Sequence, residues 1–315
     1  MESFEPTQRS TCEAVQRSRL TSGRLRAVDP GASFRPEAPT LQRRAKPLLG
    51  TLVEIAIPAG DDDAFLRATE HAFAAVAEVD RAMSFHAAGS DLRTLARAVA
   101  GAVLQLSPHT WRVLSLALEM EARSGGVFNV AVAPALVANG RLPVPDDAQA
   151  PVARSLAEGI ELLADRRLRV RSPLWVDLGG IAKGYAVDRA VACLQSMGVA
   201  SGLVNAGGDM RAFGSDAHPV RLRLAGGLRT VGSLRNGALA SSSNADCLDA
   251  ARSPHIDPRT GLPVRSAQAV VVHAPCAAVA DALTKVALLC PTTADRMCVA
   301  LRAEWRAFNH AGPWP

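Results

Sequence analysis

The sequence predicts an α+β fold. Apolar stretches of period two and stretches of helical period are interleaved along the chain without regular βαβ alternation, which disfavours a doubly wound sheet. Apolar residues make up 48% of the 315, enough for a large core, but aromatics only 4%, so Leu, Val and Ala must fill it. No internal repeat is visible.

The elements follow in order. From Gly50 to Ile57 the chain alternates, with Val53, Ile55 and Ile57 on one face, and reads as a strand. Asp61-Asp62-Asp63 opens a helix carrying Phe65, Ala72, Val76 and Met83 near helical spacing. Ser107-Pro108 pairs an N-cap with a proline at the first helical position; Trp111, Leu114 and Leu118 point inward, and the helix ends near Gly125-Gly126. Residues 140–152, rich in Pro and Asp, form a loop. Val170 to Val176 reads as a strand that passes through Gly179-Gly180 into a helix carrying Val187, Val191 and Leu194 and stopping at Gly198. Leu203-Val204-Asn205 returns as a strand, with short strands near 220–225 and 237–241. Ala269 to Val272 is a β-branched strand, Ala277 to Cys290 a helix, and Trp305 to Phe308 a last strand.

Charge is unevenly spread. The net charge is +5, but residues 1–46 carry nine Lys or Arg against five Asp or Glu. This Arg-, Ser- and Pro-rich stretch is predicted to be a disordered basic tail, with the folded domain at 47–315. The body is near neutral and has no basic block, which disfavours nucleic acid as a partner. No run of about 18 apolar residues exists, so no transmembrane segment is expected. The start lacks an apolar signal region, so a cytoplasmic location is expected. The cysteines at 12, 193, 247, 276, 290 and 298 show no metal spacing, and Cys193 and Cys290 read as small buried thiols.

Four segments carry polar chemistry. Asp177-Leu-Gly-Gly-Ile-Ala-Lys-Gly-Tyr-Ala-Val-Asp-Arg189 places a double glycine at a helix start, where free amides and the dipole favour anions. It holds the only Tyr and one of only three lysines, Lys183; the others are Lys46 and Lys285, and the remaining 32 basic side chains are Arg. It matches neither GxGxxG nor a Walker sequence, and by itself is equally a tight turn. Asn205-Ala-Gly-Gly-Asp209 is a ligand wall or a hairpin. His255-Ile-Asp-Pro-Arg-Thr-Gly261, preceded by Ser241-Ser242-Ser243, puts His255 and Asp257 on one face, a general-base arrangement, though Asp-Pro-Arg-Thr-Gly is also ordinary turn chemistry. In Val279 to Val286, Val279, Leu283 and Val286 form the core stripe, and Asp281, Thr284 and Lys285 lie on the other side. Spacing alone favours a solvated Asp281–Lys285 pair over a cation site there.

In this order, together with Leu49-Gly-Thr51, Met83-Ser-Phe-His-Ala-Ala-Gly-Ser-Asp-Leu92 and Gly125-Gly-Val-Phe-Asn129, these motifs resemble the FAD:protein FMN transferases, the ApbE-like flavin transferase family. The resemblance implies a two-lobed α+β fold that binds FAD between its lobes. It implies transfer of FMN from FAD onto a Thr or Ser hydroxyl of an acceptor protein, with release of AMP and a requirement for magnesium. Asp177 would contact the adenine moiety. Val127, Phe128, Asn129, Leu49 and Ile256 would line the FAD groove, Lys183 would lie near the phosphates or ribose, and His86 would stand where many relatives carry a flavin-stacking Tyr. His255, with Asp257 beside it, would activate the acceptor hydroxyl. The carbonyl of Gly180 and the carboxylate of Asp281 would hold the metal. Relatives usually place Thr four residues after that Asp; here the position is Lys285, so either Thr284 substitutes or the Lys285 ammonium weakens or replaces Mg2+. Two alternatives to the transferase stand beside it, an FAD pyrophosphatase with water as nucleophile and a non-catalytic FAD carrier.

Overall fold

Alternation at Val53, Ile55 and Ile57 builds β2 (Thr51–Pro58), and this face is sealed, with no exposed surface at Val53 and Ile55. The computed structural model describes residues 40–224, 227–243, 253–264 and 268–309, so the expected tail lies outside it as far as residue 39. The strand is second in a seven-stranded antiparallel sheet. Its other members are β1 (Leu41–Leu48), β6 (Gly202–Ala206), β7 (Asp209–Phe213), β10 (Gly237–Ser243), β13 (Gln268–Ala274) and β14 (Glu304–Asn309), in the order β1-β2-β6-β7-β10-β13-β14. Val53 faces Ala206, Met210 faces Leu239, and Ala240 faces Val272 across successive ladders.

Residues 41–46, assigned to the tail by composition, belong to β1, so the folded domain begins before Pro47. The strand is hard to see in sequence because it is an edge. Edge strands carry charge and tolerate proline, and Arg43, Arg44, Lys46 and Pro47 all sit here. Arg43 pairs with Glu54 and Lys46 with Glu70, and the Lys46 Nζ lies 5.2 Å from the Phe73 ring centroid.

One face of the sheet is covered by helices. The first, α1 (Asp62–Met83), starts where the Asp61 carboxylate accepts the Ala64 N–H at 2.7 Å. It packs on α6 (Ala182–Ser196), which packs on α7 (Ala277–Leu289), which lies on β10 and β13. Residues 277–284 of α7 are buried on every side, because the helix is enclosed between α6 and the sheet. A further helix unseen in the sequence, α8 (Pro291–Leu301), begins with proline directly after α7. Cys290 sits at that junction, half-buried rather than in a core. Side-chain hydrogen bonding with the hydroxyls of Thr293 and then Thr292 lowers its thiol to about 7.

A smaller body carries the sheet β3 (Val103–Gln105), β5 (Arg167–Val170) and β4 (Ile160–Leu162), with β5 central. The helices α2 (Asp91–Arg97), α3 (Pro108–Ser124), α4 (Ala133–Ala138) and α5 (Leu156–Gly159) belong to the same stretch of chain; α5 packs on β4 and on α3, and α2 and α3 pack on α1. Two hairpins complete the described residues: β8 (His218–Leu224) with β9 (Gly227–Leu234), and β11 (Ile256–Asp257) with β12 (Leu262–Pro263). The strand expected at 170–176 is not a strand beyond Val170. Pro173 cannot donate to a ladder; instead its carbonyl accepts the amides of Val152 and Ala153. Among the described residues no helix is long and apolar enough to cross a membrane.

Candidate active site

The turn after α3 opens the site. Gly125 and Gly126 both have positive φ, at 63° and 82°, and this reversal sends Val127, Phe128 and Asn129 toward the cleft beside the sheet. The Ser124 hydroxyl accepts the Phe128 amide at 2.9 Å, and the Asn129 side chain bridges the Ala131 amide and the Arg154 carbonyl. The Val130 carbonyl then accepts the Asp177 amide at 2.8 Å, which ties this turn to the glycine segment before α6.

A cavity of about 500 Å³ lies there. Of the residues singled out in the sequence, Val127, Phe128, Asn129, Asp177, Gly180, Lys183, His255, Ile256 and Lys285 line it. Ser241, Ser242 and Ser243 at the end of β10 also line it, and so do Val130, Val132, Leu136, Arg141, Leu142, Leu288 and Leu289. The last four escaped sequence reading. Arg141 and Leu142 lie in a loop without motif, and Leu288-Leu289 read as the plain apolar end of a helix.

Beneath the cavity floor lies a buried charge cluster. Asp281, fully buried on α7, has Lys285 Nζ on Oδ1 at 2.5 Å and Lys183 Nζ at 3.8 Å from Oδ2. Oδ2 also accepts the Gly184 amide of the first turn of α6 at 3.3 Å. That helix start was expected to offer its amides to a bound anion; part of that role is taken by the protein's own carboxylate. Lys183 also reaches the Gly179 carbonyl at 2.9 Å and the Asp209 carboxylate at 3.1 Å. The solvated ion pair expected on α7 is therefore a buried one. The lysine side chains keep only 18% (Lys285) and 28% (Lys183) of their exposure, and both residues line the cavity.

Burial sets the electrostatics. It works against the Asp281 charge, but Lys183 and Lys285 outweigh it and hold the carboxyl below its ordinary range. Burial raises Asp177, and burial with the Asp281 charge raises Asp209 to about 6. Burial disfavours the Lys183 ammonium, yet Asp281, Asp209 and Asp177 prevail and raise it. His255 is pushed down to about 3 by burial, then by Lys285 and Lys183, so its imidazole is neutral near pH 7.

Thr284 does not turn to the cavity. It is fully buried and its hydroxyl is saturated: it donates to the Asp281 carbonyl at 2.6 Å, contacts Ser242 Oγ at 2.8 Å and accepts from Lys285 at 3.0 Å. Three further expected residues stand off the cavity. Leu49 caps the β1–β2 turn with φ of 56°, its amide given to Asp80 at 3.0 Å. His86 is exposed after α1, its amide on Ser84. Asp257 is drawn into its own turn, where its carboxylate takes the Arg259 amide and a two-point contact from the Arg259 guanidinium. It faces a neighbouring cavity of about 470 Å³ beyond Leu288 and Leu289, so turn chemistry wins over the acid–imidazole pairing. The lone tyrosine is likewise structural: Tyr185 meets His109 Nδ1 at 3.1 Å. Gly184 serves close packing, since a Cβ there would lie 2.2 Å from the Ala277 carbonyl oxygen of α7.

Of the donors expected for a divalent cation, the side chains of Asp281 and Thr284 are thus already engaged. Both Asp281 oxygens and the Thr284 hydroxyl have partners, and the Lys285 Cε lies 3.3 Å from where a Gly180 Cβ would stand. Among the described residues no three His, Cys, Asp or Glu side chains group to hold a metal. These residues do not fit a magnesium site.

Comparison with known proteins identifies the family. The ApbE family model matches residues 49–307. The FAD:protein FMN transferase of Rhodobacter capsulatus is 30% identical over 238 residues, covering 69% of this chain but only 44% of that protein. The FAD:protein FMN transferase of Treponema pallidum is 27% identical over 301 residues, covering 82% of this chain and 81% of the relative. Among solved folds, the apo flavinyl transferase ApbE of Pseudomonas stutzeri superposes with a TM-score of 0.74 at 20% identity, over 89% of this chain and 94% of that one. The Thermotoga maritima ApbE protein gives 0.75 at 22% identity, over 87% and 96%. On the match to residues 49–307, the chain belongs to the ApbE family.

Proposed function

We propose that this chain is an FAD:protein FMN transferase. The observation that carries the reading is the convergence on one cavity of a lysine pair, an acid and an imidazole: Lys183, Lys285, Asp177 and His255. Its support from relatives is that matched proteins in two organisms bear that name.

In this reading FAD lies along the cavity with its diphosphate over Lys183 and Lys285. Asp177 receives the adenine side, and Val127, Phe128, Asn129 and Ile256 supply the walls. An acceptor protein presents a Thr or Ser hydroxyl. Its oxygen forms a bond to the phosphorus on the flavin side, the bond from that phosphorus to the bridging oxygen breaks, and AMP leaves with that oxygen. His255 takes the hydroxyl proton. A bound diphosphate offsets the two ammonium charges that depress the imidazole, so proton affinity rises when substrate is present. Such transfers depend mainly on positioning and charge stabilisation, and the site supplies both. No step is assigned to magnesium, because the Asp281 carboxylate and the Thr284 hydroxyl already have partners.

Incubation with FAD and a Thr-containing acceptor, followed by intact mass measurement, tests the reading. A gain of one FMN on the acceptor with equimolar AMP is expected. Free FMN with AMP identifies water as the nucleophile and a pyrophosphatase. FAD that is bound and never cleaved identifies a carrier and overturns the transferase reading.

A further inference from the structure

We propose that Lys285 takes the place of a divalent cation in this chain: its ammonium, anchored on Asp281 and Thr284, neutralises the diphosphate, and FAD is bound and cleaved without added metal. The proposal rests on the flavin transferase reading above and specifies how its charge is handled.

Three observations carry it. First, the carboxylate that would bind a cation does not line the cavity, whereas the lysine above it does. Asp281 has no exposed surface, and Lys285 covers its Oδ1 while facing the cavity. Second, the Thr284 hydroxyl has one donor and two acceptor positions, and the Asp281 carbonyl, Ser242 and Lys285 fill all three. A cation would have to displace the ammonium and then sit beside both it and Lys183. Third, the ammonium has three N–H donors; two go to Asp281 and Thr284, which leaves the third for a phosphate oxygen in the cavity. A lysine suits this role where an arginine would not, because it is a compact point charge, closer to a small ion than to a planar fork. That accounts for a lysine at this position in a chain whose basic residues are otherwise Arg at 32 of 35 places.

The step balances without metal. The acceptor oxygen gains the phosphorus, the bridging oxygen departs on AMP, the hydroxyl proton leaves through His255, and no redox change occurs. Lys285 changes neither bonding nor protonation; it holds charge.

The test measures FAD affinity, by quenching of flavin fluorescence, and AMP release, each in EDTA and in excess Mg2+. The wild type should show the same affinity and AMP release in both. Lys285→Met should weaken FAD about 10- to 100-fold in both, the weight of one hydrogen bond to a charged group. Lys285→Thr should weaken it similarly in EDTA and recover in Mg2+, since it restores a hydroxyl ligand and uncovers Asp281. Thermal unfolding guards against misfolding: Mg2+ should raise the Tm of Lys285→Thr and leave that of wild type unchanged. A wild type that loses FAD affinity or AMP release in EDTA overturns the proposal while the transferase reading stands. So does unchanged FAD affinity in Lys285→Met. If wild type fails to bind FAD in any condition, the transferase reading falls and takes the proposal with it.

Discussion

Replacing Asp281 by Asn removes the charge between two ammonium groups without changing the side chain's size. At an effective dielectric of about 20, a unit pair at the 3.8 Å separation of Lys183 is worth about 4 kcal/mol of attraction before desolvation. Breaking a buried pair by deleting one partner typically costs about 3–5 kcal/mol. Two features favour the low end. Lys183 retains Asp209 at 3.1 Å, and the partly exposed Lys285 can swing into the cavity. The expected loss is about 3 kcal/mol, or about 6 °C in Tm for a domain of this size. Differential scanning calorimetry of both proteins from pH 3 to 8 measures it. The sign follows from the lowered folded-state pKa: this carboxylate stabilises the fold above its unfolded range near 4, and the contribution is lost as pH falls through the folded value. The difference between the proteins should be full at pH 6 to 8 and close in acid. A variant melting within about 1 °C of wild type at pH 7 would refute the buried-pair argument, as would a gap that widens toward pH 3.

Gly184→Ala should destabilise by about 3 kcal/mol or more, read by urea unfolding, because the new methyl meets rigid backbone of α7 at 2.2 Å rather than a side chain that can move. His255→Gln should lower AMP release about 10²- to 10⁴-fold while FAD affinity stays within about twofold; equal losses in both would assign His255 to binding. Asp209, raised to about 6 by burial and then Asp281, should make stability fall as pH rises from about 4 to about 6, since the unfolded chain ionises first. Asp209→Asn should flatten that part of the stability profile, and an unchanged slope would show that the group titrates normally.

Elements with strong local signals were readable in the chain. The N-caps Asp61 and Ser107 and the terminal glycines Gly125 and Gly198 mark α1, α3 and α6, and alternation marks β2. Where partners rather than local preference decide, the reading failed. β1 is charged because it is an edge, and the stretch after Val170 is apolar because it is buried, with Pro173 keeping it off a ladder.

The site divides in the same way. Residue chemistry singled out Lys183, His255 and Lys285, and the resemblance to the flavin transferases added Val127 to Asn129, Asp177, Gly180 and Ile256; all of them line one cavity. Spacing could not tell that the polar side of α7 faces protein instead of water, since i, i+4 neighbours look alike on an exposed and on an enclosed helix. Packing of α7 between α6 and the sheet made that pair a desolvated cluster shared with Lys183 and Asp209. Leu49, His86 and Asp257 stay outside the cavity for other reasons: the distant Asp80 holds the Leu49 amide, while Ser84 and Arg259 hold His86 and Asp257 in turns of their own.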